Sequence, residues 1–197
     1  ILGRMPSGSS RQPELNNDGY FVAQDAFARA VELGKMFAVC NQSGVTSQAG
    51  LSATTPVLTL SNPAGSGVSG RLWMAAAHFE VAFVAAASVW LAAGTNTIGA
   101  AGTGTITSAH RNLKLGGITP ASQGNVIVAL LAATLPAAPV AIDLLGVGLT
   151  GAITVASALA PMLKWYNGGI LIQPGTNLSI QTSTASGASG MLNAFIW

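Results

Sequence analysis

The sequence predicts an all-β protein: an antiparallel, jelly-roll-like β-sandwich with an extended N-terminal arm and a short helix. First, about eight to ten short apolar segments follow one another, separated by turn signals rich in Gly, Pro, Ser and Asn. Second, residues 178–183 alternate apolar and polar types with a period of two, which is typical of a strand. Third, no fixed-period repeat is visible, which argues against a solenoid or a propeller.

The C-terminal stretch Gly168–Trp197 shows this organisation most clearly. It contains three extended segments, Ile170–Ile172, Leu178–Thr182 and Met191–Trp197, and Pro174-Gly175 separates the first two. Proline presets one backbone dihedral and glycine frees the next, so the chain turns at this pair. In the middle segment we expect the apolar side chains to face the core and the alternating polar ones to face water.

The composition indicates a surface that is covered by something other than water. Half of the 197 residues are hydrophobic and only 7% are charged, against a typical value of about 25%. We expect copies of the chain or another protein to cover much of it. A net charge of +2 without basic clusters argues against nucleic acid as a partner. Cys40 is the single cysteine, which excludes a disulfide framework and a cysteine-based zinc site.

Lipid as the covering material is disfavoured. The best candidate for a spanning segment, Leu72–Ala93, carries His78 and Glu80 near its middle, and an ionisable group there is costly. The apolar run Val126–Ile142 contains two prolines. We therefore expect no contact with a membrane.

The N-terminus differs in composition from the rest of the chain. Ile1–Gly19 is rich in Pro, Gly, Ser and Asn and shows no periodicity, which predicts an extended arm that becomes ordered against a neighbouring subunit. Its candidate attachment residues are Leu2, Arg4, Arg11 and Leu15. We expect the two arginines to lie near acidic or carbonyl-rich surface and the two leucines to enter shallow apolar pockets.

A short helix follows the arm. Tyr20–Leu33 has a modest helical periodicity, and Gly34 is a plausible end for it. A strand through Tyr20–Val22 is the alternative. Residues 1–35 are thus predicted to form the arm and helix, and residues 36–197 the β-sandwich domain.

Further strands are predicted from short apolar runs bounded by turn residues. These runs are Met36–Cys40, Val57–Leu60, Arg71–Phe83, Ser88–Ala93, Thr103–Thr107, Val126–Ala132, Ala138–Leu145 and Leu163–Tyr166. Asn41–Thr55 is predicted to be a polar loop and Ser61–Gly67 a turn, whereas His110–Leu115 is predicted to cross the surface. The loop Gly146–Ala160 is unusually apolar, so we expect it to form an interface or to lie beneath the arm.

The histidines and the acidic residues beyond the N-terminal region do not form a catalytic pattern. His78 and Glu80 would share a face of a strand, but a zinc site needs a third ligand, so a structural pair is the better interpretation. Asp143 stands alone in an apolar segment and is expected to meet Arg71, Arg111 or Lys164. We predict no catalytic, metal-binding or cofactor-binding residues, no cofactor and no enzymatic activity.

Four tryptophans, at positions 73, 90, 165 and 197, allow two interpretations. They could form a platform for a sugar. Three of the four lie inside apolar runs, for which packing in the core is the commoner role.

Several segments resemble a family of small virion proteins of tailed phages, which are described as minor capsid, cement or decoration proteins. The segments that carry this resemblance are Ser52–Gly67, Val89–Ala92, Leu135–Ala141 and Gly175–Thr182. The resemblance extends over Asn41–Trp197 and rests on strand and turn signatures. It implies a jelly-roll-like protein of the phage particle, without an active site to transfer.

These observations lead to one main functional expectation and two rivals. The main expectation is a capsid cement or decoration protein on the surface of the virion, a homotrimer whose partners are the major capsid protein and its own copies. One alternative is a tail or fibre-head protein that binds host-surface glycans. A glycan-cleaving enzyme would need paired carboxylates, and only Glu80 and Asp143 are available beyond the N-terminal region.

Overall fold

A computed structural model describes most of the β-domain and the helix before it. Backbone and side chains are described for 25–54, 56–95, 111–114, 127–147 and 161–197, and the backbone alone for 3–4, 10–11, 103–106 and 148. The strands are β1 (Gly3–Arg4), β2 (Ser10–Arg11), β3 (Phe37–Cys40), β4 (Leu58–Asn62), β5 (Gly70–Phe79), β6 (Ala87–Thr95), β7 (Thr103–Ile106), β8 (Arg111–Asn112), β9 (Val128–Thr134), β10 (Val140–Gly148), β11 (Met162–Ile172), β12 (Thr176–Thr182) and β13 (Met191–Ile196), and the helix is α1 (Ala26–Glu32).

Two antiparallel sheets form a β-sandwich, as the sequence predicts. One sheet has six strands in the order β10-β6-β12-β4-β9-β7, and the other has five in the order β11-β5-β13-β3-β8. Strands β3–β6 and β10–β13 can be numbered one to eight along the chain. The six-stranded sheet then contains the order 5-4-7-2 and the five-stranded sheet the order 6-3-8-1. This is the double Greek-key order of a jelly roll. Strands β7, β8 and β9 form an insertion that widens both sheets beyond β3 and β4.

The core lies between the two sheets. Its largest fully buried side chains come from both of them and include Phe195, Leu58, Leu60, Leu72, Leu91 and Ile180. The rings of Phe79 and Phe83 meet edge to face with their centroids 4.6 Å apart, a favourable geometry for aromatic pairs. The predicted core positions Leu178 and Ile180 are confirmed, since they are 3% and 2% exposed.

The predicted wet face of β12 is wrong. Ser179 is fully buried and Gln181 is 3% exposed. Strand β12 lies inside the six-stranded sheet, between β6 and β4, and the polar segment before β4 passes over it. The Gln181 side chain donates from Nε2 to the Ser52 carbonyl oxygen at 3.2 Å and to Ser179 Oγ at 3.0 Å. The polar face is therefore buried against protein rather than water.

Strand β4 extends two residues beyond its predicted end. Ser61 and Asn62 were expected to open the turn, but both are fully buried in the strand. Asn62 Nδ2 donates to the carbonyl oxygens of Val68 and Ile172 at 2.9 and 3.0 Å, and Ser66 Oγ donates to Asn62 Oδ1 at 2.6 Å. The asparagine side chain thus satisfies the backbone of the loop that follows, which explains a polar residue inside this sheet.

The helix is shorter than predicted but ends where expected. It begins after Asp25 and is followed by Gly34, whose φ of +66° lies in the left-handed region. Glycine adopts this conformation readily, and the Gly34 N–H donates to the Val31 carbonyl oxygen at 2.9 Å. The alternative strand Tyr20–Val22 and residues 20–24 of the predicted helix lie outside the described residues.

Little of the predicted arm is described. The backbone of Gly3–Arg4 pairs antiparallel with Ser10–Arg11. Leu2 and Leu15, and the side chains of the two arginines, lie outside the described part of the chain, so the attachment residues stay a prediction. At the other predicted interface, β10 continues through Gly148 instead of ending before Gly146, and residues 149–160 of the apolar loop are not described.

Candidate functional site

His78 and Glu80 do not form the structural pair expected from the sequence. His78 is the penultimate residue of β5, and Glu80 follows the strand, where its N–H donates to the Gly190 carbonyl oxygen at 2.8 Å. His78 Nδ1 is buried and has no hydrogen-bond partner. Within the described ranges, no three His, Cys, Asp or Glu residues come together in a way that could hold a metal ion.

Asp143 meets Lys164, one of the three partners expected for it. Lys164 Nζ donates to Asp143 Oδ1 at 2.8 Å, and the Tyr166 hydroxyl donates to Oδ2 at 2.7 Å. The hydrogen bond from Lys164, followed in size by the one from Tyr166, lowers the pKa of Asp143. Burial, followed by the hydrogen bond to the Asp143 carboxylate, raises the pKa of Tyr166. Asp143 lies on β10 and its partners on β11, so this cluster joins the edge strands of the two sheets.

Strand β10 presents an unpaired apolar edge, here called the β10 edge. Among the described residues it lies at one side of the six-stranded sheet and pairs with β6 alone. Its large apolar side chains are half or more exposed: Val140 67%, Ile142 48%, Leu144 54% and Val147 61%. The single charged residue of this strand, Asp143, is engaged by Lys164. The exposed edge therefore lacks the lysines, prolines or free charges that usually protect an edge strand.

A second exposed feature is a pocket with aromatic walls, here called the aromatic pocket. It has a volume of about 480 Å³ and is lined by Asp25, Phe27, Trp73, Trp165 and Asn167. The Phe27 ring meets the two indole rings edge to face, with centroid distances of 5.3 Å to Trp73 and 6.4 Å to Trp165. Residues from α1, β5 and β11 thus come together at one surface site.

An irregularity in β11 builds one wall of the aromatic pocket. Trp165 is paired with Met74 and Ile170 with Leu72, so residues 166–169 lie opposite Trp73 alone. Asn167 and Gly168 have φ angles of +51° and +77°. Arg71 Nη1 donates to the Gly168 carbonyl oxygen at 3.1 Å and holds this bulge against β5. A non-glycine residue with positive φ is uncommon, and such residues concentrate at functional sites.

Packing in the core, which the sequence favours for three of the four tryptophans, does not occur at Trp165. This side chain is 51% exposed, whereas Trp197 is 5% exposed and belongs to the core. The sequence contains a signal for this difference in Asn167-Gly168-Gly169, a turn-forming triplet inside an apolar segment. Such a triplet favours a bulge that re-aims neighbouring side chains.

A larger groove of about 740 Å³ lies between the end of α1 and the start of β5. Its walls are mainly apolar and include Leu33, Met36 and Trp197. Lys35 and Arg71 are its titratable side chains. Two cations without an acid offer no acid–base pair, so this groove does not suggest a reaction.

Comparison with known proteins yields no relative: no family model, no curated protein and no solved structure matches this chain. The resemblance to phage virion proteins therefore stays a prediction. No helix among the described residues is long and apolar enough to cross a bilayer.

Proposed function

We propose that this chain is a structural protein of a phage particle, a homotrimeric cement or decoration protein that stabilises the head by bridging subunits of the major capsid protein. The observation that carries the proposal is the β10 edge. A row of unpaired backbone groups flanked by exposed Val140, Ile142, Leu144 and Val147 is a template for association with another chain. A neighbouring copy that covers this edge in the assembled state prevents uncontrolled pairing of the edge with other chains.

The low charge of the chain supports a covered state as well. A soluble monomeric domain usually carries about 25–35% charged residues on its surface, whereas this chain has 7% in total. Among the described residues, Asp143 and Lys164 already neutralise each other next to the β10 edge. A partner surface for this edge must be apolar and nearly neutral, and a second copy of the chain supplies such a surface.

A cement protein of this kind acts by linkage and by avidity. A protein that binds the assembled lattice, and not its free subunits, stabilises the lattice, and the stabilisation grows with the logarithm of its free concentration relative to its dissociation constant. Three copies joined through their β-domains would present three N-terminal arms at once. Attachment through several arms raises the overall affinity without a strong single contact.

The self-association step is tested with charges placed on the β10 edge. The double variant Leu144→Lys, Val147→Lys places two cations on exposed positions of β10, so we expect the fold to persist and the oligomer to dissociate in sedimentation equilibrium. Val84→Lys is the control, because Val84 is 67% exposed but belongs to the loop between β5 and β6 and not to β10. A wild-type protein that sediments as a monomer at micromolar concentration would contradict the proposal.

The position on the particle is tested by electron cryomicroscopy of the phage that encodes the chain. We expect jelly-roll density over the capsid lattice, in contact with several major capsid subunits. Density at the tail tip would overturn the cement role in favour of a fibre head. Absence of the chain from purified particles would overturn both.

The alternative, a tail or fibre head that binds host-surface glycans, requires a saccharide site. The aromatic pocket is the observation that favours it.

A further inference from the structure

We infer that the aromatic pocket binds a saccharide, with a pyranose ring stacked on its indole walls and ring hydroxyls bonded to Asp25 and Asn167. This site does not depend on the proposed assembly role, since a protein at the head or at the tail could carry it. It also uses different elements from the β10 edge. The two proposals therefore fail separately.

The walls of the pocket suit a sugar ring. One face of a pyranose presents C–H groups, which pack well on the electron-rich face of an aromatic ring, while its hydroxyls point outward. Trp165 lines the pocket and remains 51% exposed. Exposed apolar surface that is contiguous, as in this group of three aromatic rings, is typical of a binding site.

The polar groups of the pocket are free to bind a ligand. Among the hydrogen bonds of the described residues, none involves the Asp25 carboxylate, which leaves α1 without a side-chain cap. Likewise, the side-chain amide of Asn167 has no partner in the described part of the chain. A carboxylate accepts hydrogen bonds, and an amide both donates and accepts them. Together they match adjacent hydroxyl groups, each of which can donate and accept.

The pocket is held in place before a ligand arrives. Trp73 and Trp165 belong to paired strands, and Arg71 holds the bulge that carries Asn167. Phe27 braces both indoles edge to face. Rigid aromatic side chains on regular elements lose little conformational entropy when a ligand binds.

Size and charge narrow the class of ligand. A volume of about 480 Å³ lies inside the range of roughly 300–1,000 Å³ that small-molecule sites occupy, and it accommodates one or two sugar rings. The carboxylate of Asp25 disfavours phosphate and other anions. A quaternary ammonium would suit the aromatic walls and Asp25 through cation–π contacts, but it would leave the donor of Asn167 unused. A neutral hexose, N-acetylated or not, uses every group that lines the pocket.

The test measures binding of the whole 197-residue chain to glucose, galactose and N-acetylglucosamine, both as free sugars and as glycans on an array. Choline chloride is the competing probe. Binding is followed by tryptophan fluorescence and by saturation-transfer NMR. We expect at least one of these sugars to bind with a dissociation constant in the millimolar range or tighter, and choline not to bind. If none of the three sugars bound, or if choline bound more tightly than the sugars, the inference would be overturned.

Two variants locate the binding. Trp165→Ala removes a wall and is expected to weaken the affinity at least about tenfold, whereas Leu163→Ala, an equally exposed change on the same strand, should leave it unchanged. Asn167→Gly keeps the positive φ and removes the amide, so it should weaken binding without disturbing the fold. If Trp165→Ala does not fold, Asn167→Gly decides. Undiminished binding in the folded variants would show that the sugar binds elsewhere.

Discussion

Strands β12 and β10 belong to the same sheet, and each inverts what its sequence suggests. The β12 sequence alternates polar and apolar residues, yet every residue from Asn177 to Thr182 is buried. The β10 sequence is almost wholly apolar, yet Val140 and Val147 are among the most exposed large apolar side chains of the described residues. Hydrophobic character alone therefore does not decide burial within this sheet.

The position of each strand explains the difference. β12 is flanked by β6 and β4 and crossed by the segment around Ser52, so neither face reaches water. In the part of the chain that the structure describes, β10 has a neighbouring strand, β6, on one side only. A polar residue can be buried at little cost when its hydrogen bonds are satisfied, and an apolar residue can be left exposed when association covers it later. The comparison separates strands that stabilise the fold from a strand available for assembly.

The largest expected effect on the free energy of unfolding comes from comparing two truncations of the same size, one in each strand. Ile180→Ala in β12 should lower the free energy of unfolding by about 2–5 kcal/mol, because Ile180 is 2% exposed and its loss leaves a cavity. Leu144→Ala in β10 should lower it by less than about 1 kcal/mol, since Leu144 is 54% exposed. Urea unfolding at a protein concentration low enough for monomers measures both. Equal losses would mean that β10 is part of the core.

A smaller effect is expected on the polar face of β12. Gln181→Ala should lower the free energy of unfolding by about 1–3 kcal/mol, because it leaves the half-buried Ser52 carbonyl and the buried Ser179 hydroxyl without the Gln181 donor. Gln173→Ala is the matched control, because this glutamine is exposed just after β11. If Gln181→Ala were as mild as the control, the outer face of β12 would be accessible to water after all.

The smallest expected effect concerns the link between β10 and β11. The lowered pKa of Asp143 means that its ionised form is favoured by folding. This contribution is present above the ordinary value of 3.8 and is lost as the pH falls through the lowered pKa. Asp143→Asn should therefore be less stable than wild type at neutral pH, by about 0.2–1 kcal/mol.

Thermal unfolding of both proteins, measured from about pH 7 down to about pH 2, gives this difference in stability as a function of pH. The two proteins should converge at the acid end, where wild-type Asp143 is protonated. A difference that persisted there would assign the effect to packing rather than to the charge. Lys114→Met is the control: it also removes one surface charge, but Lys114 donates to the backbone carbonyl oxygen of Glu32 and not to a carboxylate.

The sequence by itself determines the local elements of this protein. Pro174-Gly175 ends one strand and begins the next, and the structure has Gly175 at φ +82° with a hydrogen bond from the Thr176 N–H to the Gln173 carbonyl oxygen at 3.2 Å. Gly34 ends the helix. Most strands from β3 onward lie within a few residues of their predicted positions. The exceptions are β8, which pairs with β3 where a surface crossing was predicted, and β11, which joins two segments predicted as separate strands. Proline, glycine and short apolar runs act on their immediate neighbours, which is why the sequence alone reveals them.

Only the tertiary structure decided which surfaces are buried and which side chains meet. Whether a strand is central or at an edge depends on partners far away in the chain, as when Gln181 meets Ser52 across 129 positions. The aromatic pocket likewise joins Phe27, Trp73 and Trp165, none of which is near another in sequence. The bulge that carries Asn167 fits against Trp73 only because β11 pairs with β5. Burial and site geometry come from this long-range pairing, for which local residue patterns contain no direct signal.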